Sequence, residues 1–398
     1  MSIQVISSPR KRGFICLNAH PAGCEAAIRE QVTIAQASLK GSLKGKNVLV
    51  IGSSTGFGLS SVVCSSLVLG ANVYGVCFEK PSDEKKGGSA GWYNICAARK
   101  IAKEQGKNLN FLNGDAFSNE SKEQVIADLK ENYGKLDYII YSLASPKRKD
   151  PNSDTLWSSV LKPIGTPFVG KNINLRMETI DEVTIEPANE EEVENTRRVM
   201  GGEDWKLWIE ALKDADLLNK GCLNVAYSYI GPEVTKRLYR EGTIGGAKKH
   251  LEETAKELNE ILRTHCAGRS LISVNKALVT QASAAIPVVT LYTGILYKVM
   301  KEAGTHEGCI EQIVRLFKDH IGPNATISTD EEGRIRIDDK ELKDEIQRKV
   351  DEIWPTVTTE NLRETTDYNG FEIAFNNLFG FDVEGVDYSA KVETHITL

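Results

Sequence analysis

Residues Lys46–Ser60, KNVLVIGSSTGFGLS, constrain this chain more than any other stretch. Asn47–Ile51 is a short, mostly aliphatic run, as expected of a strand that meets water on neither face. Glycines follow at Gly52, Gly56 and Gly58, and Leu59–Leu69 then has helix-compatible apolar spacing up to Gly70. In a strand–turn–helix unit Gly52 permits the sharp turn, Gly56 lets the backbone approach a phosphate, and Gly58 lets the helix pack on the strand. The helix N-terminus offers N–H groups and partial positive charge to a pyrophosphate. No Gly-Lys-Ser/Thr follows, which excludes a P-loop.

A second strand-like run, Asn72–Phe78, is closed by Glu79, twenty-one residues after Gly58. An acid about 20 residues beyond the turn is where a ribose 2′-hydroxyl is held, and its charge repels a 2′-phosphate, so NADH is favoured over NADPH. An ordinary Gly/Ser turn explains the glycines alone, but not strand, glycines, helix, strand and acid together. The G-x3-G-x-G spacing resembles that of short-chain dehydrogenases and reductases.

With 398 residues, 41% hydrophobic and 26% charged, the composition is that of a soluble globular protein. The net charge of −6 and the lack of a basic stripe argue against a nucleic-acid partner. Basic clusters at Pro9–Arg12 and Lys147–Lys149 read as solvated loops, with a coenzyme-phosphate contact from Lys147 or Arg148 as the alternative. The eight cysteines are scattered, several in apolar runs (Cys64, Cys77, Cys222), which fits buried free thiols in the cytoplasm. Cys16, His20 and Cys24 lack paired zinc-ligand spacing, so no metal is expected. No signal peptide is read. Ala277–Tyr297 is uncharged and long enough to span a bilayer, but Thr280, Gln281, Ser283, Pro287, Thr290 and Thr293 interrupt it. It reads as the wall of an apolar substrate pocket, with Ala284 and Ala285 as lining positions.

The alternation continues through strands at Leu109–Leu112, Leu136–Tyr141, Cys222–Tyr227 and Leu271–Val274. Helices are expected at Trp92–Gln105, Ser121–Tyr133 and Gly246–Arg263. This predicts an α/β fold with a Rossmann-type doubly wound parallel sheet in a single domain over residues 1–398. Residues 1–46 form an N-terminal extension, 150–218 a substrate-side insertion and 302–398 C-terminal additions. A hairpin is expected around Glu331-Glu332-Gly333, and an amphipathic helix over Lys340–Trp354. Asp115, just past the third strand, is placed to accept from an adenine amino group or to cap a helix, as Ser118 also is.

Reduction at a nicotinamide needs a group to handle charge on a substrate oxygen, and a tyrosine beside a lysine serves, because the ammonium favours the phenolate. Several pairs offer themselves. Tyr297–Lys301 is four apart, Tyr229–Lys236 seven, and Tyr227–Lys236 and Tyr239–Lys248 nine. Nine residues on a continuous helix face opposite ways. Gly242, Gly245 and Gly246 can break the helix between Tyr239 and Lys248, so that pair is possible, but spacing does not select it.

The segments GFICLNAHP, GSSTGFGL, CFEK, GWYN, GDAFS, YSLASP, EPAN, MGGEDW, AYSYIGPE, LYREGTIGGAK, VNKALVTQASAAIP, HEGCIEQ and GFDVEGVDY do select it. From end to end the chain resembles the trans-2-enoyl-CoA reductases, a family that includes the V-type enoyl-acyl-carrier-protein reductases. The family pattern Y-x8-K falls on Tyr239 and Lys248, and its substrate-binding tyrosine on Tyr229. Its cofactor segments fall on Gly52, Ser53, Ser54, Thr55, Gly56 and Phe57, with Gly58 adjoining, and on Phe78–Glu79, Asp115–Ala116, Leu143–Ala144 and Leu278, Val279 and Thr280. Lys248 is also implied to hold the nicotinamide ribose. The resemblance implies a monomer that uses NADH, without metal, to reduce the trans-2 double bond of an acyl-CoA such as crotonyl-CoA. Reduction of acyl-carrier-protein thioesters and a non-catalytic NADH-binding protein are the alternatives.

Overall fold

Seven parallel strands carry the fold: β1 (Asn47–Ile51), β2 (Asn72–Cys77), β3 (Leu109–Asn113), β4 (Leu136–Tyr141), β5 (Leu218–Ser228), β6 (Arg269–Val274) and β7 (Arg334–Arg336). Their spatial order is β3-β2-β1-β4-β5-β6-β7. The winding reverses between β1 and β4, and ligand crevices in such sheets open at the carboxyl ends of the strands at that point. The computed structural model describes residues 3–13, 15–175, 177–283 and 288–398.

The unbroken apolar reading of β1 follows from its place in the sheet. Val48 and Val50 join one core with Ile28, Val62 and Leu67, while Leu49 and Ile51 join the opposite core with Trp205, Trp208 and Leu258. All four strand residues are fully buried. The first core is covered by α1 (Pro21–Ser38), α2 (Gly56–Val62), α3 (Ala90–Glu104) and a helix further on, Cys309–Leu316. The second is covered by α4 (Asn119–Asn132), by Glu203–Asp214 and by Thr243–Cys266. In chain order these later helices are α5 (Glu190–Met200), α6 (Glu203–Asp214), α7 (Thr243–Cys266), α8 (Val289–Glu302), α9 (Cys309–Leu316), α10 (Asp344–Ile353) and α11 (Tyr368–Asn377). A third apolar cluster joins α8 and α10 to the hairpin Phe168–Asn174/Thr179–Ile185 through Ile173, Leu291, Ile295, Ile346 and Val350.

Three departures from the sequence reading have local causes. The helix expected over Leu59–Leu69 begins at Gly56 and widens into a π-type turn at Val63–Val68. There the Ser61 and Ser65 hydroxyls donate back to the carbonyl oxygens of Phe57 (2.7 Å) and Ser61 (2.6 Å), a pattern that bends helices. No hairpin forms around Glu331-Glu332-Gly333. The turn, in which Asp330 N–H donates to the Arg334 carbonyl at 2.8 Å, instead delivers β7 alongside β6. Ile335 and Ile337 thereby reach full burial at the sheet edge. Within 150–218, α6 packs its fully buried Trp205 and Trp208 on the sheet as the layer helix ahead of β5. The two short hairpins and α5 precede it.

Of the apolar stretch Ala277–Tyr297, positions Ala284 and Ala285 lie outside the described residues. Among the described residues no helix is long and apolar enough to cross a membrane.

Candidate active site

The glycine turn is tight enough to demand its glycines. A side chain at Gly58 would place its Cβ 1.8 Å from the Gly52 carbonyl oxygen, so α2 lies against the end of β1. Gly52 itself has φ of +88° and backs onto the Ser142 carbonyl, where a Cβ would approach to 2.5 Å. Thr55, the residue preceding α2, makes no side-chain cap, which leaves first-turn N–H groups of α2 to an incoming anion. Ser53 is held by its N–H and hydroxyl, both donating to the Val76 carbonyl at 3.0 Å. Phe57 packs its ring 5.9 Å from that of Tyr227.

Past β2, the Glu79 carboxylate accepts from the Ser54 hydroxyl at 2.6 Å and the Ser89 hydroxyl at 2.5 Å. The Asn113 side chain fixes its backbone on both sides, accepting from Glu79 N–H at 2.7 Å and donating to its carbonyl at 2.9 Å. A carboxylate has about four acceptor sites, so two such bonds leave room for ribose hydroxyls. Phe78 beside it is 78% exposed. Past β3, Ser118 rather than Asp115 caps α4; Asp115 accepts from Phe117 N–H at 2.9 Å. Ala116 is buried, and its carbonyl accepts from Lys122 and Trp208. Past β4, Leu143 lies over Gly52, and Ala144 is exposed. Past β6, Leu278 and Val279 are buried, Val279 N–H donates to the Tyr297 hydroxyl at 3.1 Å, and the Thr280 methyl comes 3.7 Å from the Cβ position of Gly56. Every sequence-predicted cofactor segment thus stands at a strand's carboxyl end.

Tyr239 sits on a turn that its own carbonyl closes, by accepting from Gly242 N–H at 3.1 Å and Gly245 N–H at 3.0 Å. A Cβ at Gly245 would lie 2.1 Å from the Arg240 carbonyl oxygen, so only glycine lets the turn run into α7. Lys248 follows on the second turn of that helix. Tyr239 is buried, meets the Tyr229 ring edge-on at 4.9 Å, and its hydroxyl has no hydrogen-bond partner among the described residues. Burial pushes its phenol up. The Lys248 ammonium donates to the Tyr227 carbonyl at 3.4 Å, and burial pulls it down to about 8. Glu252 opposes that shift but is itself claimed by Arg240 at 2.8 Å and Arg334 at 3.5 Å.

The other pairs are otherwise engaged. Lys236 is half-buried and paired with Glu233 and Glu241. The Tyr227 hydroxyl bonds Ser61 at 2.6 Å. Tyr297 receives Val279 N–H, while Lys301 is tied to Asp367 at 2.6 Å. Arg148 turns inward to Glu203 at 2.7 Å instead of toward a coenzyme. His20 caps α1 through Gly23 N–H. Among the described residues no three His, Cys, Asp or Glu side chains are grouped to hold a metal.

Residues 86–321 match the family described as the trans-2-enoyl-CoA reductase catalytic region, and residues 6–84 match its NAD(P)H-binding domain. The chain belongs to the trans-2-enoyl-CoA reductase family. A Clostridium perfringens protein named trans-2-enoyl-CoA reductase (NADH) is 53% identical over 98% of this chain and 99% of its own. A Flavobacterium johnsoniae protein named enoyl-(acyl-carrier-protein) reductase (NADH) is 52% identical over 99% of each. The crystal structure of Treponema denticola trans-2-enoyl-CoA reductase in complex with NAD is similar at a TM-score of 0.94, with 47% identity over 99% of this chain and 100% of that one.

Residues 329–392 match a family described as the enoyl reductase FAD binding domain. The segment does not fit a flavin dinucleotide. Its strand-to-helix turn, 337–343, has no glycine to let a pyrophosphate approach the backbone, and its Asp338 and Glu341 are buried, the first on Arg336 and the second on Tyr292 and Ala277 N–H. Its Arg334 and Arg336 are neutralised by Asp330, Glu332 and Asp338.

Sequence reasoning about this reductase family site missed Asn113 and Ser89, which hold Glu79, and the buried group of Lys276, Tyr292 and Glu341 behind Tyr229. Lys276 lies inside VNKAL, where a lone lysine among apolar residues was the available signal. Glu341, amid DDKELKDE, offered none.

Proposed function

We propose that this chain is an NADH-dependent trans-2-enoyl-CoA reductase with Tyr239 and Lys248 as catalytic residues and Tyr229 as a substrate-binding residue. The observation that carries this reading is the glycine-closed turn with Tyr239 against Tyr229, and Lys248 on the Tyr227 carbonyl at the end of β5, where the Tyr227 ring meets Phe57 of the glycine turn. NADH, when bound, would supply the hydride that the β-carbon of the enoyl thioester takes up, and the α-carbon takes a solvent-derived proton, delivered by the Tyr239 hydroxyl or by water. The Tyr239 hydroxyl, left without a partner among the described residues, donates to the thioester oxygen as charge gathers there, helped by Tyr229. Lys248 keeps positive charge beside that hydroxyl and holds the nicotinamide ribose. Gly52, Ser53, Ser54, Thr55, Gly56, Phe57 and Gly58 cradle the pyrophosphate, Phe78 and Glu79 the adenosine ribose, Asp115 and Ala116 the adenine. Leu143, Ala144, Leu278, Val279 and Thr280 border the nicotinamide half. The chain acts as one reductase domain and as a monomer in the cytoplasm, where its eight free cysteines stay reduced. The stretch after β6 borders the acyl chain.

NADH oxidation should be faster with crotonyl-CoA than with the crotonyl thioester of an acyl-carrier protein. The reverse order would favour the carrier-protein reading, and turnover only with a 3-ketoacyl-CoA would replace the chemistry. Glu79→Gln should raise the NADPH/NADH ratio of kcat/KM, because it removes the charge that repels a 2′-phosphate. An unchanged ratio would mean Glu79 does not face the ribose.

A further inference from the structure

Glu341 lies in the turn between β7 and α10 and is completely buried. Its Oε1 accepts from the Tyr292 hydroxyl at 2.7 Å and from the Tyr229 hydroxyl at 3.2 Å, and its Oε2 accepts from Ala277 N–H at 2.7 Å. The groups facing it are few. Tyr229 comes from the loop after β5 and Lys276 from the loop after β6. Tyr292 comes from α8 and is itself held by Gln347 of α10 at 3.2 Å; Asp338 lies on Glu341's own turn. Burial pushes the Glu341 carboxyl up and Asp338 adds to this, while Lys276, Tyr292 and Ala277 N–H pull it down.

Tyr229 has one hydroxyl proton, and two acceptors want it. One is Glu341; the other is the thioester oxygen that Tyr229 serves in the function proposed above, on which this inference rests. A carboxylate is the stronger acceptor. We propose that Glu341 is a positioning residue for Tyr229. As a carboxylate it draws the Tyr229 proton inward; carrying a proton, it donates to Tyr229 and lets that hydroxyl turn toward the substrate. Tyr292 matters because it competes with Tyr229 for the same Oε1.

Glu341→Gln tests this with little change of shape. Ala277 N–H retains the amide oxygen, so the amide nitrogen faces the two tyrosine hydroxyls and donates to them, as the protonated acid would. Burial holds the Glu341 carboxyl above the ordinary carboxylate range, so KM for crotonyl-CoA in the parent enzyme should rise with pH as Glu341 ionises. The variant should match the parent at the acid end and have a KM about 3- to 10-fold lower at the alkaline end, the worth of one hydrogen bond. NADH affinity should not move. Lys276, pulled down to about 8 by burial, also loses its charge as pH rises, so the Glu341 effect is read as the difference between the two curves. Tyr292→Phe, which leaves the carboxylate to Tyr229 alone, should raise KM, and it tests the idea even if Glu341→Gln folds poorly. Both effects should vanish in a Tyr229→Phe background. Parallel curves for parent and Glu341→Gln, or an effect that survives in Tyr229→Phe, would overturn the inference. If Tyr229→Phe alone leaves KM unchanged, the substrate role of Tyr229 falls and this inference with it. If Tyr229→Phe raises KM while Glu341→Gln changes nothing, only the inference falls.

Discussion

Tyr239→Phe should lower kcat by about 100-fold or more while NADH affinity stays near normal, because loss of one well-aimed donor to a developing oxyanion costs about 3–4 kcal/mol in the transition state. The substitution keeps the ring, so the edge-on contact with Tyr229 at 4.9 Å and the burial of the turn survive. The hydroxyl has no internal hydrogen bond to lose among the described residues, so the fold should barely notice. Circular dichroism checks that point. Tyr229→Phe should be milder and act mainly on KM. Tyr297→Phe and Lys236→Met should do little, since the Tyr297 hydroxyl is spent on Val279 N–H and Lys236 on surface carboxylates. A near-normal kcat for Tyr239→Phe would remove it from the mechanism.

Lys248→Met should lower kcat and also weaken NADH binding, and this double loss separates it from Tyr239→Phe. The sign of its pH dependence follows from its surroundings. Burial pulls the Lys248 ammonium down to about 8, so the charge is present below that pH and lost as pH rises through it. The parent kcat should therefore fall on an alkaline limb near pH 8, and Lys248→Met should lack the limb. Lys276 is also pulled down to about 8 by burial, so Lys276→Met is the control, and it should retain the limb. A limb that disappears in Lys276→Met and persists in Lys248→Met would reverse the assignment.

What the sequence made legible is what backbone periodicity and glycine chemistry control. β1 is unbroken because both its faces are buried, and Gly58 is required because the Gly52 carbonyl lies where a side chain would be. The Tyr239–Lys248 pair was the harder case. Its spacing of nine fits no single helix face, and a turn closed on the Tyr239 carbonyl stands between the two residues. Long-range contacts left no local trace. Glu341 reaches Tyr229 across 112 positions, and Asp339, Lys343, Asp344 and Glu345 near it in sequence are exposed charges. Likewise β7 joins the sheet because Ile335 and Ile337 find burial against β6, whereas the turn residues before it suit a hairpin equally well.

The most direct test of the account is to follow a label. Reduction of crotonyl-CoA with NADH carrying deuterium at the transferable position of nicotinamide C4, in ordinary water, should give butyryl-CoA with deuterium on the β-carbon and a solvent-derived proton on the α-carbon. Tyr239→Phe should give the same labelling at a rate lower by about 100-fold. Deuterium at the α-carbon or at the thioester carbon, or no butyryl-CoA at all from the purified chain, would contradict the account.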